Sequence, residues 1–146
     1  MRYWEDFAAG QVYELGSTTV TAEEIIEFAS RWDPQPFHVD AEAAAASSFG
    51  GLCASGWHTV AMYMRLYVDN LLTHTASQGS PGVDEVRWLE PVRPGDTLFA
   101  VATVEETRPS ASRANRGTIL VRWEMHNQAG VTVLRMRGRN MLGRRH

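Results

Sequence analysis

The clearest pattern in the chain lies near its C-terminal end, where Ile119, Val121, Trp123 and Met125 alternate with Leu120, Arg122, Glu124 and His126. Apolar residues at period two put one face of a strand on a core and leave the other toward water. Asn127-Gln128-Ala129-Gly130 can then close a hairpin onto a second strand, Val131 through Met141. Upstream, Val86 and Trp88 alternate with Arg87 and Leu89. Pro91, Pro94 and Gly95 make a turn before a strand from Thr97 to Glu105, and the Ser-, Thr- and Gly-rich stretch from His74 to Gly82 reads as a surface loop.

The first half of the chain has the helical period instead. Thr21-Ala22-Glu23-Glu24 has the form of a capping box, with Ile25, Phe28, Ala29 and Trp32 following at helical spacing. That helix should end at Trp32 or Asp33, because Pro34 disfavours helical geometry in the residue before it. Asp40 is a natural N-cap for an alanine-rich helix from Ala41 to Ser47, which Phe49-Gly50-Gly51 breaks. Gly56 then precedes a long helix, about Trp57 to Leu72, that is apolar on most faces, as expected of a helix wrapped by a sheet. The first twenty residues read as an entry segment and a short strand, with Gly10 and Gly16 as turn points and Thr18-Thr19-Val20 extended. One long helix early and antiparallel strands later make an α+β architecture. A length of 146 residues without internal repeats predicts a single domain over 1–146.

Composition removes some functions. A net charge of -3 argues against general nucleic-acid binding, although every strongly basic side chain is arginine. The most apolar segment is interrupted by His58, Arg65, Asp69 and Asn70, too much polarity for a membrane span. The N-terminus turns acidic at Glu5-Asp6 without the apolar run of a secretory signal, so a cytoplasmic protein is expected. Cys53 is the sole cysteine, which precludes an intrachain disulfide, fits a reducing compartment, and reads as a small core residue.

Chemistry concentrates in Asp33-Pro34-Gln35-Pro36-Phe37-His38. Two prolines predict a stiff, non-helical loop, and a stiff loop can hold a carboxylate and an imidazole at a set separation, where they share one water near neutral pH. Taken singly, an Asp before proline is usually a turn former and a lone His is usually packed. Gly56, at the start of the long helix, offers an orphan N–H and the positive end of a helix dipole. Ser55 reads as a helix cap, since no Gly-x-Ser-x-Gly elbow surrounds it. Arg135, Arg137 and Arg139 would project from one strand face, either as a phosphate-binding row or, more commonly, as a solvated or ion-paired surface.

Asp33, Pro36 and His38, followed by Gly50, Gly51 and Ala54-Ser55-Gly56, resemble the hydratase motif of the MaoC-like dehydratases, the (R)-specific enoyl-CoA hydratase family. The likeness runs from Trp4-Glu5-Asp6-Phe7 through Pro91-Val92-Arg93-Pro94-Gly95-Asp96. It implies a hot-dog fold, in which an antiparallel sheet wraps a long central helix, and a homodimer or higher homo-oligomer. The implied activity is reversible hydration of a 2-enoyl-CoA to a (R)-3-hydroxyacyl-CoA, with no metal or cofactor and with an acyl carrier protein as the alternative carrier. By the same resemblance Asp33 and His38 act on the water and Gly56 on the thioester carbonyl, with Gln35, Ser55 and Trp57 as substrate contacts. Gln35 stands where many members have asparagine, Trp32 where many have glycine, and Met64 where some have a serine. These departures bear on how Asp33 is held and on the room for an acyl chain. Two other readings stay open: thioester hydrolysis on the same fold, and a non-catalytic acyl-thioester binder, against which the intact Asp33 and His38 weigh.

Overall fold

The computed structural model describes residues 1–145. Five antiparallel strands make one sheet: β1 (Val12–Thr19), β2 (Val83–Trp88), β3 (Thr97–Pro109), β4 (Arg116–His126) and β5 (Thr132–Gly143), in the spatial order β1-β3-β4-β5-β2. The alternation along β4 is realised as expected: Ile119, Val121, Trp123 and Met125 are buried, and Leu120, Arg122, Glu124 and His126 lie half-exposed on the other face. Each fully buried side chain of this size contributes about 1.5–3 kcal/mol of transfer free energy.

Four helices connect or cover the strands: α1 (Ala22–Trp32), α2 (Pro36–Val39), α3 (Ala41–Ala45) and α4 (Gly56–Asn70). The longest, α4, lies on the inner face of the sheet, where the Tyr63 hydroxyl donates to the Val101 carbonyl (2.6 Å) and the Tyr67 hydroxyl to Asn140 Oδ1 (2.7 Å). Gly138 in β5 makes room for the Trp123 indole, since a Cβ there would lie 2.7 Å from the ring. Strand order, antiparallel pairing and the helix across the concave face are those of the hot-dog fold.

Several local expectations change. Gly16 is no turn: φ is +86° and the register slips between Glu14 and Ser17, so it forms a bulge inside β1. The stiff loop contains a helical turn, α2, because Pro36 occupies its first position, where a fixed φ and a missing N–H cost nothing. Trp32 stays out of the core at 65% exposure, with the Arg31 guanidinium 5.0 Å over its ring. And α4 is wrapped on one side only. His58, Thr59, Tyr63 and Tyr67 are buried, whereas Trp57, Ala61, Met64 and Arg65 form an open stripe at helical spacing. No helix among the described residues is long and apolar enough to cross a membrane.

Candidate active site

Helix α1 starts with the predicted capping box, Thr21 Oγ1 accepting from the Glu24 amide (3.1 Å) and Glu24 Oε1 from the Thr21 amide (3.0 Å). It ends where Pro34 requires, and the last N–H bonded back into it belongs to Asp33. The chain then leaves the helix at φ -156°, ψ 66°, which turns the Asp33 side chain inward. Helix α2 presents His38 from the opposite side, buried, with its Nδ1 2.6 Å from the Cys53 carbonyl. A carbonyl only accepts, so the proton sits on Nδ1 and the lone pair of the neutral ring sits on Nε2. That Nε2 faces Asp33 Oδ2 at 3.4 Å.

Asp33 is held by neutral donors. Gln35 Nε2 donates to Oδ1 (2.8 Å) and Ser55 Oγ to Oδ2 (2.7 Å). Burial works against the charge, but these two hydrogen bonds outweigh it and hold the carboxyl below its ordinary value. Gln35, in place of asparagine, thus reaches the carboxylate directly. Ser55 departs from expectation: it is fully buried, makes no side-chain cap bond, and does not line the cleft, because its hydroxyl is committed to Asp33.

A cleft of about 520 Å³ opens over this pair, lined by Asp33, Gln35 and His38 together with Gly56, Trp57 and Trp88. The Gly56 amide at the start of α4 has no hydrogen-bond acceptor among the described residues. Glycine is required there by the Trp88 ring, since a Cβ at position 56 would lie 2.4 Å from its Cε2. Trp57 stands edge-on to Trp88 with ring centroids 5.0 Å apart. Cys53 is buried as expected, and that burial raises its thiol pKa.

The remaining positions fall elsewhere. Trp32 points outward and takes no room from the cleft. Met64 lines a smaller cavity of about 130 Å³ between α4 and the sheet, away from Asp33. His58 is buried against Phe28, with stacked rings 4.5 Å apart and Nδ1 unpartnered; burial lowers its pKa. The arginine row does share one face, but its members meet carboxylates: Arg135 with Glu124 (3.2 Å), Arg137 with Glu105 (3.3 Å) and Arg139 with Asp84 (3.9 Å). Among the described residues no three His, Cys, Asp or Glu side chains converge to hold a metal ion. Two contributors escaped sequence reasoning, Trp88 and Arg93. An arginine in the turn Pro91-Val92-Arg93-Pro94-Gly95, with a Gly-Gly loop elsewhere in need of donors, was the available signal for the second.

The family model for the MaoC like domain matches residues 6–123. The chain belongs to the MaoC-like domain family. A solved MaoC-like dehydratase from Rhodospirillum rubrum superposes with a TM-score of 0.93 at 41% identity, covering 100% of this chain and 99% of that one. YdeM of Bacillus subtilis, described as an uncharacterized protein, is 31% identical over 129 residues, 88% of this chain and 90% of its own length. The R-hydratase PhaJ1 from Pseudomonas aeruginosa aligns at a TM-score of 0.74 and 24% identity, over 99% of this chain and 90% of that one. At that identity the likeness bears on the fold. The neighbours named as a MaoC-like dehydratase and an R-hydratase thus share this chain's architecture.

Proposed function

We propose that this MaoC-like protein is a hydro-lyase that reversibly adds water to a 2-enoyl-CoA to give a (R)-3-hydroxyacyl-CoA, with Asp33, His38 and Gly56 as its catalytic residues. The observation that carries the reading is the pair of proton acceptors, Asp33 Oδ2 and His38 Nε2, 3.4 Å apart in a cleft that also holds the amino end of α4. A water that donates one O–H to each acceptor keeps a lone pair free for C3 of the alkene. With its pKa lowered, Asp33 remains a carboxylate and is the weaker base, so the imidazole takes the proton as the O–C3 bond forms. The π electrons move onto the thioester, and the enolate oxygen accepts from the Gly56 N–H at the positive end of the helix. The imidazolium returns the proton to C2. Both additions come from one face, so the sum is syn hydration with no net change in the enzyme's charge.

Gln35 and Ser55 act on Asp33 in this scheme, and Trp57 with Trp88 forms a wall for the acyl thioester. The (R) configuration draws on the R-hydratase and 3R-hydroxyacyl-ACP dehydratase among the structural neighbours, the latter also making an acyl carrier protein the second carrier to test. A homodimer completes the reading: the open stripe on α4 with Trp57 and Met64, and the free edge of β2 with exposed Val83 and Trp88, are the surfaces assigned to a second copy. Sedimentation of the purified protein tests that assignment. For the activity, crotonyl-CoA should lose its enone absorbance without release of free thiol. Turnover unchanged in both Asp33→Asn and His38→Gln overturns the assignment.

A further inference from the structure

The His38 Nδ1–H has one peptide carbonyl as its acceptor, that of Cys53, and a side chain outside the pair hydrogen-bonds the loop that leads to it. Arg93 lies in the turn between β2 and β3. Its own N–H donates to Asp96 Oδ2 at 2.8 Å, and Asp96 Oδ1 accepts from Gln128 Nε2 at 3.0 Å, so the turn is fixed from the β4–β5 hairpin. From there the guanidinium reaches the glycine loop after α3. Nη1 donates to the Gly51 carbonyl at 2.8 Å and lies 3.4 Å from the Leu52 carbonyl, and Nη2 donates to the Phe49 carbonyl. The neighbouring Val92 carbonyl accepts from the Ala54 N–H at 2.9 Å, and the Cys53 N–H donates to the Phe37 carbonyl at 3.2 Å. The Cys53 carbonyl sits between these anchors. With Gly50 at φ +66° and Gly51 beside it, the loop has little stiffness of its own, and outside the guanidinium its carbonyls have no regular ladder to join.

We propose that Arg93 is a positioning residue that clamps the Phe49–Leu52 carbonyls, fixes the Cys53 peptide, and so keeps the His38 proton on Nδ1 and its lone pair toward Asp33. The planar fork suits this task, because carbonyls two residues apart need donors held at a set spacing, which an ammonium lacks. The rate consequence rests on the hydratase reading; the tautomer consequence does not.

The test uses full-length protein with 15N-labelled histidine, the His38 resonances being identified by their loss in His38→Gln. In wild type His38 should show the Nδ1–H pattern near neutral pH. In Arg93→Gln that pattern should give way to a mixture of tautomers, with kcat for crotonyl-CoA lowered about 10- to 100-fold and KM changed less than about threefold. Arg93→Lys keeps the positive charge and carries the test if the glutamine variant does not fold: a mixed pattern and a kcat lower by about tenfold are expected. A wild-type His38 pattern in a folded Arg93→Gln protein, or wild-type pattern and rate in Arg93→Lys, overturns the proposal. Should wild type hydrate no enoyl thioester, the function fails and the nitrogen pattern still decides the role of Arg93.

Discussion

Carboxylates meet cationic or proton-accepting partners in two regions of this molecule, and the regions are built on opposite plans. On the outer face of the sheet, Arg122 lies between Glu124 at 2.8 Å and Glu105 at 3.7 Å, and Arg135 and Arg137 each have a carboxylate within 3.3 Å. Charge there is cancelled by charge, on long half-exposed side chains, where such pairs stabilise by about 0.2–1 kcal/mol each. In the cleft, Asp33 and His38 are held by an amide, a hydroxyl and a peptide carbonyl, none of which carries a formal charge. Neutral supports fix the pair without setting a formal cation against the carboxylate. The lesson is that a row of charges at regular spacing can be chemically quiet, whereas two groups five residues apart in a proline-rich turn keep their lone pairs free.

Changes in the cleft and changes among the outer-face ion pairs should therefore differ greatly. Asp33→Asn or His38→Gln removes one of the two acceptors, and enone absorbance should report a fall in kcat of about 100- to 10,000-fold. Gly56→Ala drives a Cβ into the Trp88 ring, and overpacking of this kind costs about 1–3 kcal/mol, visible as a lower Tm. Adding Trp88→Ala should return most of that Tm, whereas a Tm that stays low in the double variant would show that the indole is not what constrains position 56. Ser55→Ala removes a donor from the ionised carboxylate. Its kcat should fall about tenfold, and the pKa of Asp33 should rise toward its ordinary value, read from the 13C shift of its carboxyl carbon in a pH titration.

His58 sharpens the comparison as a buried ionisable group with Nδ1 unpartnered. Its pKa is lowered in the folded state, so the unfolded chain binds the proton first and folded stability falls as pH drops below the ordinary histidine value of 6.5. Thermal melts at pH 7 and pH 5 should show that loss, and His58→Phe should reduce it. The smallest effect belongs to the arginine–carboxylate pairs on the outer face of the sheet. Arg137→Ala should cost less than about 1 kcal/mol and leave KM for an acyl-CoA unchanged; a KM raised tenfold would make the row a phosphate site after all.

Much of this was legible before any coordinates. The strands of the second half follow from period two, and the capping box at Thr21 and the Asp40 cap follow from short-range hydrogen bonding that a local sequence encodes completely. The candidate residues Asp33, His38, Gly56, Gln35 and Trp57 line one cleft. What escaped were relations between distant segments. That Ser55 serves a carboxylate instead of capping its helix depends on where α1 ends, and that Arg93 feeds the glycine loop depends on a fold that brings positions 93 and 51 together. The bare side of α4 was hidden for a related reason, since composition records apolar content and not which face a sheet will cover.

The partner of His38 Nδ1 is main chain, and this shapes how the protein tolerates change over generations. No substitution at position 53 deletes that acceptor, for every amino acid brings the same oxygen. Replacing Cys53 by another small residue, such as alanine, would remove the thiol that lies 3.7 Å from Nδ1 and keep the oxygen that accepts from it, so this proton placement is tied to the path of the backbone.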